Sequence, residues 1–229
     1  MNAIDCDGKT PREINREIKR TVEAGAKEVL VRNPAARHNL AVALLTPARV
    51  VFDGSVGNYS GGMGHGPRIE IQGTAGWGLA ECMMSGTVIV SKNAGNSAAA
   101  SIRGGTVVIR GDAAARAGIA MKGGTLIIGG SCGYMTGFMM QKGTIILCGD
   151  AGEALGDSMY EGRIFVGGKV DDLGNDAVIQ EPTGQDLAEV ASALKPFDIS
   201  VPPSLKKVVA GRRLWSFDKK EWDVWKTAL

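Results

Sequence analysis

The chain has 229 residues, of which 44% are hydrophobic, and its 26 basic and 24 acidic side chains give a formal net charge of +2. This is the composition of an ordinary globular protein. The small net charge argues against a surface that binds a nucleic-acid backbone, and no segment approaches the roughly 18 apolar residues of a membrane-spanning helix. Asp5, Asp7 and Arg12 stand where a signal peptide would be apolar, so we expect a cytoplasmic protein.

The first predicted element is a helix over residues 11–24. Thr10 and Glu13 have the spacing of a capping box, and Gly25 ends the helical pattern. The segment Glu28–Arg32 then favours a short strand that leads into the following region. We assign residues 1–38 to an N-terminal cap made of this helix and strand.

Residues 39–177 contain a repeat with a period of nineteen residues and no insertion. The strand-like segments of its seven copies begin at Ala48, Pro67, Gly86, Gly105, Gly124, Gly143 and Gly162. In each copy the third and fifth residues are apolar, which is the period-two signature of a strand with one buried face. A nineteen-residue repeat cannot hold a β-α-β unit of about 30 residues, so its copies must stack directly. The sequence therefore predicts an all-β fold, a single-stranded right-handed parallel β-helix with 19-residue coils.

The column between the two buried positions is also largely apolar. Its members are Val51, Glu70, Ile89, Val108, Ile127, Ile146 and Phe165. A strand with a single buried face should carry polar residues here, so we expect another surface to cover this column. We interpret that surface as part of a partner protein.

Small residues recur where the coils turn, and the sequence has 33 glycines, about twice the usual share. Glycine accepts positive φ angles and close backbone approach, so these columns predict a corner that is repeated in every coil. A column of methionines three residues further on is expected to fill the core. It consists, with one isoleucine, of Met83, Ile102, Met121, Met140 and Met159.

The search for reactive groups is mostly negative. The four cysteines are far apart in sequence and form no C-x-x-C pair, and no phosphate-binding glycine motif is present. His65 is the one group of the repeat suited to proton transfer, and it has no predicted carboxylate or thiol partner. Acidic residues occur at turns, where solvated carboxylates are common, namely Asp112, Asp150, Glu153 and Asp157. We assign no catalytic, cofactor-binding or metal-binding residue to this chain.

The last part of the chain, residues 178–229, departs from the repeat. Residues 185–194 favour a helix, and the tail that follows is basic and aromatic. It could fold back as a cap, or it could be an arm that docks on another protein, since Trp and Arg are common interface anchors. Contact of its two basic pairs with phosphate is a third alternative, which the low net charge disfavours. On the second interpretation, deletion of residues 208–229 should release the chain from its complex without unfolding it.

The glycine corners, such as 57–61 and 133–137, are followed by G-T-[VLI]-[VI]-[VIL] strands. This pattern resembles the GXGXG domain, the C-terminal β-helix of the glutamate synthase large subunit, which also occurs as a separate subunit of formylmethanofuran dehydrogenase. The segments 12–20 and 31–40 are similar to the entry of that domain. The size of the chain and its segment 206–218 most resemble the β-helix subunit of N-methylglutamate synthase, the methylamine–glutamate N-methyltransferase.

The resemblance implies a non-catalytic scaffold that joins a glutaminase-like subunit to an FMN-binding subunit. FMN and an iron–sulfur cluster would then belong to the partner subunit, and none would be bound by this chain. The alternatives are an equivalent subunit of a split glutamate synthase or of a formylmethanofuran dehydrogenase, or a self-sufficient β-helix enzyme. The residues that we expect at the partner interface are Asn58, Tyr59, His65, Arg212, Arg213, Trp215, Trp222 and Trp225.

Overall fold

The computed structural model describes residues 2–211. Its helices are α1 (Pro11–Glu23) and α2 (Gly184–Leu194), and a short 3-10 helix follows at Lys195–Phe197. The strands are β1 (Asn2–Asp5), β2 (Glu28–Arg32), β3 (Arg49–Asp53), β4 (Arg68–Ile71), β5 (Thr87–Val90), β6 (Thr106–Ile109), β7 (Lys122–Ile128), β8 (Lys142–Leu147), β9 (Arg163–Val166), β10 (Ala177–Gln180) and β11 (Lys206–Ala210). Within residues 2–211, neither α-helix has the length and apolar character needed to cross a membrane.

Strands β3 to β9 stack as a right-handed parallel β-helix, as the repeat predicts. Each strand pairs in parallel with the equivalent residues of the next coil, so that Val88 lies beside Val107 and Val107 beside Leu126. The two inner columns predicted from the sequence are buried in one continuous core, together with the methionine column. The 19-residue period therefore sets the register of the whole sheet.

Helix α1 closes the N-terminal end of the β-helix. The predicted capping box is present, because Glu13 N–H donates to Thr10 Oγ1 and the Glu13 carboxylate accepts from Thr10 N–H. Ile14, Ile18 and Val22 are buried in the core. The side-chain amide of Asn15 donates to the carbonyl of Asn39 and accepts from the N–H of Ala41, at 2.6 and 2.7 Å. Asn15 thus satisfies backbone groups of the first coil that have no preceding coil to pair with.

The apolar outer column is covered by the chain itself. Five of its residues form a second buried cluster with residues of α2 and of the segment after it. Val190 and Leu194 of α2 belong to this cluster, as do Phe197 and Leu205 of the following segment. Our interpretation of this column as a partner-binding surface is therefore wrong. The reason is that α2 follows the last coil and folds back along the sheet, a long-range contact that the repeat alone does not encode.

The C-terminal end of the sheet is closed by antiparallel strands. Strand β11 pairs with β9 on one side and with β10 on the other, and Val208 is fully buried between them. Residues 206–210 are thus a cap, and a deletion that starts at residue 208 would remove part of the core. A deletion that probes the role of the tail in assembly should begin after Gly211. The predicted interface residues Arg212, Arg213, Trp215, Trp222 and Trp225 lie outside the described residues.

Candidate functional site

The corner segments of the coils form one face of the β-helix, which we call the corner face. It comprises residues 58–65 and the equivalent segments 77–84, 96–103, 115–122 and 134–141. Tyr59, Gly61 and Met63 all have positive φ angles, and the same alternation recurs in the following coils. Their N–H groups bond alternately to the coil on either side, with Gly61 donating to Leu40 and Tyr59 to Trp77. This alternation directs Tyr59 and Met63 outward and buries the positions between them.

The glycines of the corner face are required by two different constraints. In the column of Gly61, Gly118 and Gly137 the φ angle is about +70°, where a side chain is strained. A Cβ atom at Gly137 would also lie 2.6 Å from Cδ1 of Ile164. At Gly95, which directly precedes the segment 96–103 and is not in the left-handed region, a Cβ atom would instead lie 2.6 Å from Cδ1 of Trp77. The corner glycines therefore give the backbone its turn and leave space for neighbouring side chains.

Large apolar side chains are exposed on the first two coils of the corner face and, at Leu45, on the coil that precedes them. They form what we call the aromatic patch, whose residues and exposed fractions are Leu45 (64%), Tyr59 (46%), Met63 (53%), Trp77 (57%) and Met84 (46%). Single exposed apolar residues are normal in proteins, but these five occur on three consecutive coils, and Tyr59 and Trp77 line one common groove. Trp, Tyr and Met are also the residue types that are enriched in the cores of protein interfaces.

A shallow groove of about 300 Å³ begins at the aromatic patch and crosses the next coils. Tyr59, Trp77 and Glu81 line one part of it, and small side chains form the rest, including Ser97 and Ala100. The rings of Tyr59 and Trp77 lie against Gly78 and Gly95 of the next coil, because these glycines have no Cβ atom to displace them. The repeated glycines thus leave space for both rings, but the repeat does not require aromatic residues at positions 59 and 77.

Two of the predicted interface residues are exposed on this face. Tyr59 belongs to the aromatic patch, and His65 lies at the other end of the segment 58–65, with its Nδ1 atom 3.2 Å from Ser85 Oγ. Asn58 is half-buried, and its side chain binds the backbone of the next coil, since Asn58 Oδ1 accepts a hydrogen bond from Trp77 N–H at 2.9 Å. Trp77 and Glu81 were not selected from the sequence. Trp77 stands between Asn58 and Asn96 in a column that also contains Ala115 and Tyr134, so the column gives no clear sequence signal for it.

Two of the acidic turn residues accept hydrogen bonds from the backbone of the next coil. The carboxylate of Asp112 accepts from the N–H of Ser131, and the carboxylate of Asp150 accepts from the N–H of Lys169. Asn93 and Ser131 occupy equivalent positions of the same column and accept in the same way. These side chains therefore link the turn of each coil to the turn of the next.

A charged network lies on the outer face of the first strands, beside the part that α2 covers. Arg49 donates to both oxygens of Glu70 and also pairs with Glu28, while Arg68 donates to Glu70 at 2.6 Å. The Arg49 guanidinium holds the pKa of Glu70 down at about 2, although partial burial opposes this shift and Arg68 assists it. The one charged residue of the outer column is thus neutralised within the sheet.

A metal or iron–sulfur site does not fit the residues that the structure describes. Cys6 and Cys132 are buried, and Cys82 and Cys148 are half-buried on separate coils. Burial raises the pKa of the Cys6, Cys132 and Cys148 thiols, which disfavours the thiolate that a metal requires. Within residues 2–211, no three His, Cys, Asp or Glu side chains approach closely enough to hold a metal ion.

Comparison with known proteins adds three findings. The family model described as "GXGXG motif" matches residues 12–190. Protein GlxC of Rhizobium meliloti (strain 1021) is 38% identical over 92 residues, which are 39% of this chain and 40% of that protein. A solved structure of the formyltransferase/hydrolase complex from Methylorubrum extorquens with methylofuran contains a chain of similar fold. The TM-score is 0.69 and the identity 22%, and the match covers 87% of this chain and 85% of that one.

The match to the family model extends over most of the chain, from α1 through the whole β-helix to α2. The match to Protein GlxC spans less than half of either protein, and the likeness to the solved structure concerns the fold. The family model thus agrees with the corner glycines and the stacked strands described above. This chain belongs to the GXGXG family.

Proposed function

We propose that this chain is a non-catalytic scaffold subunit of a glutamate-synthase-like enzyme complex. In this role it joins a glutaminase-like subunit to an FMN-binding subunit, and the complex is N-methylglutamate synthase. The reaction converts methylamine and L-glutamate to N-methyl-L-glutamate and ammonia. FMN and an iron–sulfur cluster are held by the FMN-binding subunit.

The observation that carries this proposal is the aromatic patch on the corner face. A surface rich in Trp, Tyr and Met is costly to leave in water and supplies the side chains that dominate binding energy at interfaces. The patch lies on a rigid β-helix in which every coil is fixed by backbone pairing to its neighbours. Such a surface suits a protein that holds other subunits in a fixed arrangement.

The comparisons support the same proposal in coarser terms. The chain is a GXGXG family member, and the solved structure with the similar fold is described as a complex of a formyltransferase and a hydrolase. Both facts favour a role within a multi-subunit assembly. The choice of N-methylglutamate synthase depends on the sequence resemblance of segment 206–218 and on the size of the chain.

Reconstitution from purified subunits tests the proposal. The three subunits together should form N-methylglutamate from methylamine and glutamate, and omission of this chain should abolish both the assembly and the activity. Trp77→Ala should weaken assembly, while Gln72→Ala, an exposed change on another side of a coil, should leave it intact. Activity of the other two subunits without this chain, or activity of this chain alone, would contradict the scaffold role.

A further inference from the structure

The groove beside the aromatic patch contains a carboxylate that has no partner in the described chain. Glu81 is half-buried, and no ion pair or side-chain hydrogen bond joins it to another residue of the range 2–211. Its Oε2 atom lies on the same side of Gly78 as the Tyr59 ring, because both would contact a Cβ atom at that glycine, at 3.3 and 2.5 Å. The carboxylate and the ring therefore flank one small space.

A partner that covers the aromatic patch would remove water from this space. Burial of a carboxylate without a cation or a hydrogen-bond donor is unfavourable, and this cost would offset much of the gain from burying Trp77 and Tyr59. A partner that binds here must therefore bring a compensating group. Since the Tyr59 ring adjoins the carboxylate and Trp77 lines the same groove, that group is best a guanidinium, which stacks on aromatic rings and pairs with carboxylates in a fixed geometry.

We propose that this groove receives an arginine side chain of a partner subunit, with Glu81 as its counter-ion and Tyr59 and Trp77 as its stacking surfaces. The proposal rests on the scaffold role, and it specifies the chemistry of the segment that docks. The small side chains of Ser97 and Ala100 leave room for the arginine stem and for an apolar neighbour on the partner. The charge of Glu81 selects among partners, and the aromatic patch supplies most of the affinity.

Site-specific crosslinking in the native cells tests this inference on the full chain. A photo-crosslinking amino acid is placed at Ser101, which lines the groove, and at Gln72 as a control on another side of the coil. We expect the Ser101 position to capture one peptide that contains arginine. Glu81→Gln should lower the yield about tenfold, and Glu81→Arg more strongly. Replacement of the captured arginine by glutamate should restore the yield in the Glu81→Arg chain to within about threefold of the wild type.

Several results would overturn the inference. They are the absence of a crosslink at Ser101, a captured peptide without a basic residue, a yield unaffected by Glu81→Gln, and capture of residues 212–229 of the same chain. The outcome also separates this inference from the proposed function. An arginine-containing peptide from a protein that is neither glutaminase-like nor FMN-binding would contradict the function and support the groove. A crosslink to the glutaminase-like or the FMN-binding subunit whose yield is unchanged by Glu81→Gln would support the proposed function and contradict the arginine groove.

Discussion

Replacement of Leu194 by alanine tests whether α2 is a permanent part of the fold. Leu194 is fully buried on the outer face of the sheet, in the cluster that contains Ile127, Ile146 and Phe165. Removal of a buried leucine side chain costs about 2–5 kcal/mol. We expect the lower half of this range, about 2–3 kcal/mol, because Phe197 and Leu205 at the rim of the cluster are slightly exposed and allow the site to relax.

Hydrogen exchange of the α2 amides is the assay of choice, because a helix packed on the outer face of a solenoid can detach before the coils unfold. A loss of about 2–3 kcal/mol corresponds to a fall of about 30- to 150-fold in the protection of these amides. Leu187→Ala is the matched control, since Leu187 lies on the same helix and is 43% exposed. It should change protection by less than about threefold. Equal effects of the two variants would refute the assignment of α2 to the outer face.

Three further changes probe other parts of the structure. Ile109→Asp places a charge among the inner columns and should abolish soluble expression; a soluble variant with an unchanged melting temperature would disprove the inward orientation of this residue. Gly137→Ala should cost about 1–3 kcal/mol in urea unfolding, whereas Ala99→Gly, at an equivalent left-handed position, should be neutral or stabilising, and the opposite order would contradict the argument on φ angles. Asp186→Asn should make the stability of the protein less dependent on pH in the acid range. Burial opposes ionisation of Asp186, but hydrogen bonds from Thr183 and the Lys207 ammonium hold its pKa well below the usual value. The ionised carboxylate therefore stabilises the fold above about pH 4, and this stabilisation is lost as the pH falls. An identical acid limb in wild type and variant would exclude this role.

The repeat could be predicted from the sequence because its determinants are local and are repeated seven times. The inner columns, the capping box at Thr10 and the strand Glu28–Arg32 all depend on residues close in sequence, and all three occur in the structure. The helix predicted over residues 185–194 was also confirmed, at Gly184–Leu194. The surface that this helix covers was not predicted. The apolar outer column indicates that some apolar surface packs on it, but the sequence does not show whether that surface belongs to the same chain or to a partner.

The candidate site was less accessible to sequence reasoning. Tyr59 and His65 were selected because they lie in a glycine-rich turn, and the structure places both on the corner face. Trp77 and Glu81 belong to the next coil, and their proximity to Tyr59 follows only from the stacking of equivalent positions. Strand β11 was missed for a related reason, since its antiparallel pairing with β9 lies outside the 19-residue register.

The most direct test of the scaffold role is affinity purification of the full chain from its native cells, followed by mass spectrometry of the proteins that accompany it. The account predicts that the wild-type chain brings down both a glutaminase-like and an FMN-binding subunit, and that both are depleted with Trp77→Ala. A chain that purifies alone, or only with copies of itself, would contradict the account and favour a self-sufficient β-helix enzyme.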